Sequence, residues 1–100
     1  MDAFSAIAEP RRREILAQLR LGPATVNELA DRLRISQPMA SKHLKALRSA
    51  GFVEVRPQGQ KRWFNLRRNP FDELDSWLDE YRRYWSQELD ALERYLDDED

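Results

Sequence analysis

Apolar residues recur along this chain at two spacings, and the change from one to the other divides it. Ala3, Phe4, Ile7 and Ala8 are spaced as on a short helix. Glu9-Pro10 restarts the pattern, because proline suits the first turn of a helix and not its interior. Ile15, Leu16 and Leu19 make the buried stripe of a helix running from Arg11 to Leu21, and Gly22-Pro23 stops it. Thr25 is placed as an N-cap, with Glu28 at the capping-box spacing and Leu29, Ala30 and Leu33 facing inward. That helix ends near Arg34. Ser36 caps the next one, Pro38 falls in its first turn and Gly51 closes it. Helices over 26–34 and 37–50, joined by a tight turn, are predicted.

From Phe52 the period shortens to two. Phe52-Val53-Glu54-Val55-Arg56 alternates and is β-prone, and Pro57-Gln58-Gly59-Gln60 has turn chemistry. Lys61 to Leu66 is a second β-prone run, with Trp63 or Phe64 supplying its packed face. Asn69-Pro70 punctuates the chain again. From Phe71 to about Leu96 there is no glycine or proline. Leu74, Leu78, Tyr81, Trp85, Leu89, Leu92 and Leu96 step by 4, 3, 4, 4, 3 and 4, and Trp77, Tyr84 and Tyr95 broaden the stripe. Such a helix is roughly 35–40 Å long, more than a domain this small covers by itself. Asp97-Asp98-Glu99-Asp100 reads as a frayed acidic end.

The fold class predicted is mainly α. A helix-turn-helix over 26–50 is followed by a two-stranded hairpin wing over 52–66 and a long C-terminal helix over 70–96, all in one domain of residues 1–100. With 41% hydrophobic and 35% charged residues the chain is globular with one modest core. No apolar run spans a membrane and no basic-then-apolar leader opens it, so a cytoplasmic location is the default expectation. The absence of cysteine excludes disulfides, thiolate metal sites and a cysteine nucleophile. With a lone histidine and no glycine-rich phosphate loop, no enzyme is expected.

Net charge refines this picture. The overall −1 averages 14 Lys and Arg against 6 Asp and Glu in residues 1–69, a net +8, with 3 against 12 in residues 70–100, a net −9. The first part suits nucleic acid and the second a separate task, unless the charges merely coat solvated faces. The helix over 37–50 favours the nucleic-acid reading, although a solvated helix face is the plainer alternative for it too. Ala40, Leu44 and Leu47 form one apolar stripe, while Gln37, Ser41, Lys45 and Arg48 form a second face with Pro38 and Lys42 beside it. That second face carries the amide, hydroxyl and cationic groups that read base edges and hold phosphates. Gln37 suits adenine and the lysines suit phosphates.

His43 flanks the core stripe. It fits a phosphate or edge contact and equally a structural place at the core margin, and alone it is a poor metal site. Arg56, Gln58, Lys61 and Arg62, with Gln60, suit a wing on the DNA backbone or in the minor groove, although such cations also guard edge strands. Arg11, Arg12 and Arg13 fit phosphate contact no better than pairing with Glu9 or Glu14. The stripe of Trp77, Leu78, Tyr81, Tyr84, Trp85, Leu89 and Leu92 is read first as a dimer seam shared with the core, and otherwise as a pocket for an apolar ligand. Asp72, Glu73, Asp75, Asp79 and Glu80 are solvated charge near a helix start and would repel DNA.

Three stretches of this chain are similar to the ArsR/SmtB-type winged-helix repressors of bacteria and archaea. They are Ala8-Glu9-Pro10-Arg11-Arg12-Arg13-Glu14-Ile15-Leu16, Val26-Asn27-Glu28-Leu29-Ala30, and Ile35 to Leu47 with Ala50-Gly51-Phe52-Val53. The resemblance covers nearly the whole length. It implies a homodimeric repressor of a palindromic double-stranded operator, with first and last helices forming the dimer interface. Phe4 and Ile7 would then join Trp77, Leu78, Tyr81, Trp85, Leu89 and Leu92 there. The chain departs from the metal-sensing members, which carry paired cysteines on the first helix of the helix-turn-helix or Asp and His on the last helix. Val26-Asn27-Glu28-Leu29-Ala30 has no cysteine and residues 70–100 no histidine. It therefore looks like the members without metal, needs no cofactor, and leaves a small-molecule effector open. The rival is a winged-helix module that docks on another protein and binds no DNA.

Overall fold

A computed structural model of the chain describes residues 1–98. Asp97 and Asp98, expected in a frayed end, are the last residues of a helix, while Glu99 and Asp100 lie outside the described residues. Five helices and one hairpin follow in order: α1 Ala3–Ala8, α2 Pro10–Leu19, α3 Val26–Leu33, α4 Gln37–Ser49, β1 Val53–Gln58, β2 Lys61–Leu66 and α5 Asn69–Asp98.

The starts of α1 to α4 are each fixed by a side chain that accepts an otherwise unpaired backbone N–H. Asp2 accepts from Ser5 N at 2.7 Å, Thr25 from Glu28 N at 3.2 Å and Ser36 from Met39 N at 3.2 Å. Glu9 caps α2 by accepting from Arg11 N at 3.1 Å, with Pro10 in the first turn. Only half of the capping box at Thr25 forms. The Glu28 carboxylate turns instead to Arg32, 3.1 Å away. The turn between α3 and α4 passes through Arg34 in the left-handed region at φ 56°, a strain of about 1 kcal/mol for a non-glycine residue. Gly51, at φ +83°, ends α4 where the chain turns into the wing, a conformation that favours glycine.

The core is built from the predicted stripes. Ile15, Leu16, Leu19, Leu29, Leu44, Leu47, Phe52, Val53 and Phe64 are buried together, with Ala3, Ala6 and Ala24. Of the two wing candidates, Phe64 packs inward and Trp63 stays half-buried. The strands pair antiparallel from Val53–Leu66 to Gln58–Lys61. Ala24 extends the pairing: Phe64 N donates to Ala24 O at 2.8 Å and Ala24 N to Phe64 O at 3.2 Å. This ties the wing to the segment that leads into α3.

One boundary differs from the expected one. α2 stops at Leu19 and Leu21 is exposed, because Gly22 N already closes on Leu19 O at 3.1 Å. α1 covers the predicted short segment, with Ala3 and Ala6 buried, Ile7 half-buried against the core and Ala8 exposed. Asn69-Pro70 falls at the expected boundary, after the end of β2 and at the start of α5. Both residues lie in the first turn of α5, where proline lacks only an N–H that would be unpaired anyway, and Pro70 is buried.

α5 has 30 residues, about 45 Å at 1.5 Å per residue, and gives the molecule a longest dimension of 70 Å. Phe71 meets Phe52 edge to face at 5.1 Å, and Leu74 packs on the core. Beyond Leu74 every large apolar side chain of α5 is exposed, so the stripe is not shared with the core past that point. No helix among the described residues is long and apolar enough to cross a membrane.

Candidate nucleic-acid interface

α4 presents two different faces. Ala40, Leu44 and Leu47 are at most 1% exposed and bind the helix to the core. Gln37, Pro38, Ser41, Lys42, Lys45 and Arg48 are exposed. The wing places Arg56, Gln58, Lys61 and Arg62 in solvent as well.

Two grooves join these elements. In one, Ser41, Lys45 and Arg48 of α4 face Arg62 and Phe64 of β2, with Leu44 at the floor. In the other, Gln37 and the start of α3 face Gln60, Lys61 and Arg62. Arg62 lines both, so the polar face of α4 and the basic strand of the wing form one surface. The first turns of α3 and α4 both open onto the second groove. The uncapped N–H groups of these turns add positive potential beside Lys61 and Arg62, and Glu28, which also lines this groove, is paired with Arg32.

Among the described residues Lys42, Lys45, Arg48, Lys61 and Arg62 form no ion pair within the chain. Lys61 Nζ lies 5.9 Å from the Trp63 ring centroid. Arg56 differs, since its guanidinium holds Glu54 at 2.8 Å. That pair is exposed and worth little, so it does not prevent Arg56 from turning to a phosphate. Gln58 lies with Arg56, Pro23 and Trp63 on the outer side of the wing, away from the α4 grooves.

His43 is half-buried and leans toward the start of α2. Its Nδ1 is buried without a hydrogen-bond partner, as is Arg12 Nε. Burial pushes the imidazole below the ordinary histidine value; the Arg12 guanidinium, with Lys42 and Arg11, pushes the same way against Glu9. The other two arginines of the triplet are held within the chain. Arg11 pairs with Glu14 at 2.9 Å, and Arg13 donates to Ile7 O and Ala8 O at the end of α1.

Arg48, already on the second face of the helix by its spacing, lines the first groove with Arg62. One residue of this surface was less visible in the sequence. Asn27 lies in the second groove, exposed at the start of α3, and no spacing rule singled it out. Among the described residues no group of three or more His, Cys, Asp or Glu side chains is placed to hold a metal ion.

The remaining predicted residues gather on another face. Phe4 of α1 meets Trp77 of α5 edge to face, 5.3 Å between centroids, with Ile7 half-buried nearby in sequence. Trp77 continues to Tyr81 at 5.1 Å and Tyr81 to Trp85 at 6.1 Å. Leu78, Leu89 and Leu92 extend this stripe and are 44%, 62% and 53% exposed, too much apolar surface to be core.

A helix-turn-helix whose second helix shows a polar, cationic face, followed by a basic hairpin, defines the winged helix-turn-helix class of DNA-binding domains. Residues 9–55 match the family model described as bacterial regulatory protein, arsR family. The chain is 37% identical to the HTH-type transcriptional regulator Rv2034 of Mycobacterium tuberculosis over 97 residues, covering 97% of this chain and 88% of that protein. It is 31% identical to the transcriptional repressor SdpR of Bacillus subtilis, over 77% of this chain and 86% of that protein. Among solved structures it resembles Mb0332 of Mycobacterium bovis, described as a homodimeric winged helix-turn-helix DNA-binding domain, at 27% identity and TM-score 0.66, covering 81% of this chain and 75% of that one. The chain belongs to the ArsR family of transcriptional regulators and is not an enzyme.

Proposed function

We propose that this chain is a homodimeric repressor that binds a partly palindromic site on double-stranded DNA and does not respond to metal. It forms one winged helix-turn-helix domain and acts in the cytoplasm, where the DNA is. The observation that carries this reading is the single surface through Arg62, which links the polar face of α4 to the wing. α4 enters the major groove. Gln37 and Ser41 read base edges, Pro38 lets the start of the helix approach, and Lys42, Lys45 and Arg48 hold phosphates. Arg56, Gln58, Lys61 and Arg62 lie along the flanking backbone or minor groove. His43, neutral near pH 7, adds an edge contact or buttresses α4 against α2.

The exposed stripe from Phe4 and Trp77 to Leu92 supports dimerisation, since it needs a cover and faces another way from the cationic groups. Two copies then present two α4 helices to successive major grooves, about one helical turn apart. Repression is supported by the likeness to SdpR. The lack of cysteine and the single histidine support a metal-free mode. Selection of protected fragments from genomic DNA, including the promoter of its own gene, tests the reading. A shared, partly palindromic sequence is expected. Protection of no fragment over random DNA would contradict it and favour a module that docks on protein.

A further inference from the structure

Seven positions of the apolar stripe of α5, from Leu74 to Leu96, have mirror-symmetric spacing, while Trp77, Tyr84 and Tyr95 broaden it along one edge. Tyr81 and Leu89 are equally distant from Trp85, as are Leu78 and Leu92, and Leu74 and Leu96. A helix with such a stripe matches a second copy of itself running the opposite way, Trp85 against Trp85. One charge interrupts the stripe. Glu88 lies one turn from Tyr84, Trp85 and Leu92 and two turns from Tyr81 and Tyr95. Its own helix offers it no cation at three or four residues' distance. Among the described residues it forms no ion pair, whereas Arg82 holds Asp75 and Asp79, and Arg83 holds Asp79.

We propose that Glu88 sets the register of an antiparallel α5 pair centred on Trp85, its carboxylate accepting from the Tyr84 hydroxyl of the second copy. This rests on the homodimer reading and deepens it. In an antiparallel pair, residues on the same edge of the stripe meet. Tyr84 and Glu88 share one edge and flank the centre, so each copy supplies both members of the bond and the bond forms twice. A parallel, in-register pair would instead bring the two Glu88 carboxylates together in an apolar seam, where neither finds a donor. It would also set the two cationic bodies side by side.

Charge supports the antiparallel arrangement. Residues 86–98 carry Glu88, Asp90, Glu93, Asp97 and Asp98 against Arg94 alone. In the proposed register the end of one α5 lies over the body of the other copy, with Leu96 beside Leu74. There a largely apolar groove of about 490 Å³ runs between Ile7, Leu16, Leu66 and Phe71, with Arg13 and Arg20 among its lining residues. The groove offers apolar surface to Leu96 and cations to Asp97 and Asp98. A polar pair inside an otherwise apolar seam is a recognised way to fix helix register.

The chain has no cysteine, so introduced thiols report neighbours without background. Leu78→Cys and Leu92→Cys proteins are oxidised separately and as a subunit-exchanged mixture, and so are Tyr81→Cys and Leu89→Cys. Sedimentation is run on each, and the second pair guards against one substitution weakening the dimer. Disulfides formed at least ten times faster in the mixtures than in the pure proteins are expected. Efficient self-linking of Leu89→Cys or Leu92→Cys in a sedimenting dimer would overturn the register and leave the homodimer standing. Monomers throughout, wild type included, would overturn both.

The role of Glu88 has its own readout. In a Leu89→Cys background, Glu88→Leu or Tyr84→Phe should keep the dimer yet raise self-linking several-fold. Glu88→Gln, which still accepts from the hydroxyl, should not. An unchanged linking pattern in Glu88→Leu would overturn the assignment to Glu88.

Discussion

Phe4 and Trp77 meet edge to face, 5.3 Å apart with ring planes at 78°, and this contact joins the first helix to the last at the point where α5 leaves the core. On the protein side of it Leu74 packs inward; on the far side Tyr81, Trp85 and Leu89 are exposed. A contact of this kind is worth about 0.5–1.5 kcal/mol beyond the area it buries. It holds the start of the stripe against the body, and the rest of the stripe needs another surface.

Trp85→Asp and Leu89→Asp should therefore give monomers that keep the fold. Neither side chain touches the core, so the helical circular-dichroism signal of residues 1–66 should survive while sedimentation shows half the mass. A dimer that persists with both changes present would count against α5 as the seam.

Leu44→Ala tests the attachment of α4. Leu44 is 1% exposed and lies beneath the groove shared by Lys45 and Arg62. Truncation should cost about 2–5 kcal/mol in denaturant unfolding. A cost below about 1 kcal/mol would mean that α4 is held otherwise than by its apolar stripe.

Lys42→Ala and Gln37→Ala should separate phosphate holding from base reading. The first should weaken binding to all duplexes alike and lower the salt slope by about one, whereas the second should change preference at particular base pairs, by about 1–3 kcal/mol. If fluorescence anisotropy shows neither effect, a different element occupies the groove.

The stability of the fold should depend on pH through His43. Its folded value is depressed by burial and by Arg12, while the unfolded chain titrates near the ordinary value of about 6.5. The unfolded state then binds the extra proton first. Stability should be level above about pH 7, fall as pH drops through the unfolded value, and level off only below the folded one. Thermal melts of wild type and His43→Gln between pH 7.5 and 5.5 measure this, with the slope expected to shrink in the variant. Equal slopes would remove His43 as the cause.

Much of this was legible in the sequence because local chemistry and burial agreed. Thr25, Ser36 and Gly51 marked helix ends that the fold keeps, and Ala40, Leu44 and Leu47 sit where their spacing put them. Asn69-Pro70 marked the start of α5 to within one residue, and Pro70 packs there beside Gly51. The joining of Arg62 to the face of α4 was hidden. It depends on the bridge from Ala24 to Phe64, a contact across forty residues that no local pattern encodes. The lean of His43 toward Arg12 is likewise a product of how α2 crosses α4.

The central claim is that α4 and the wing read DNA as one surface, and a titration of the full chain on its selected duplex and on a random duplex, at 50 and 200 mM salt, tests it most directly. Affinity for both should fall steeply with salt, by about 10³-fold or more if six or more phosphates are contacted. The selected duplex should bind about 10³-fold or more tighter than the random one at the higher salt. Equal affinity for the two duplexes, or binding indifferent to salt, would contradict the account.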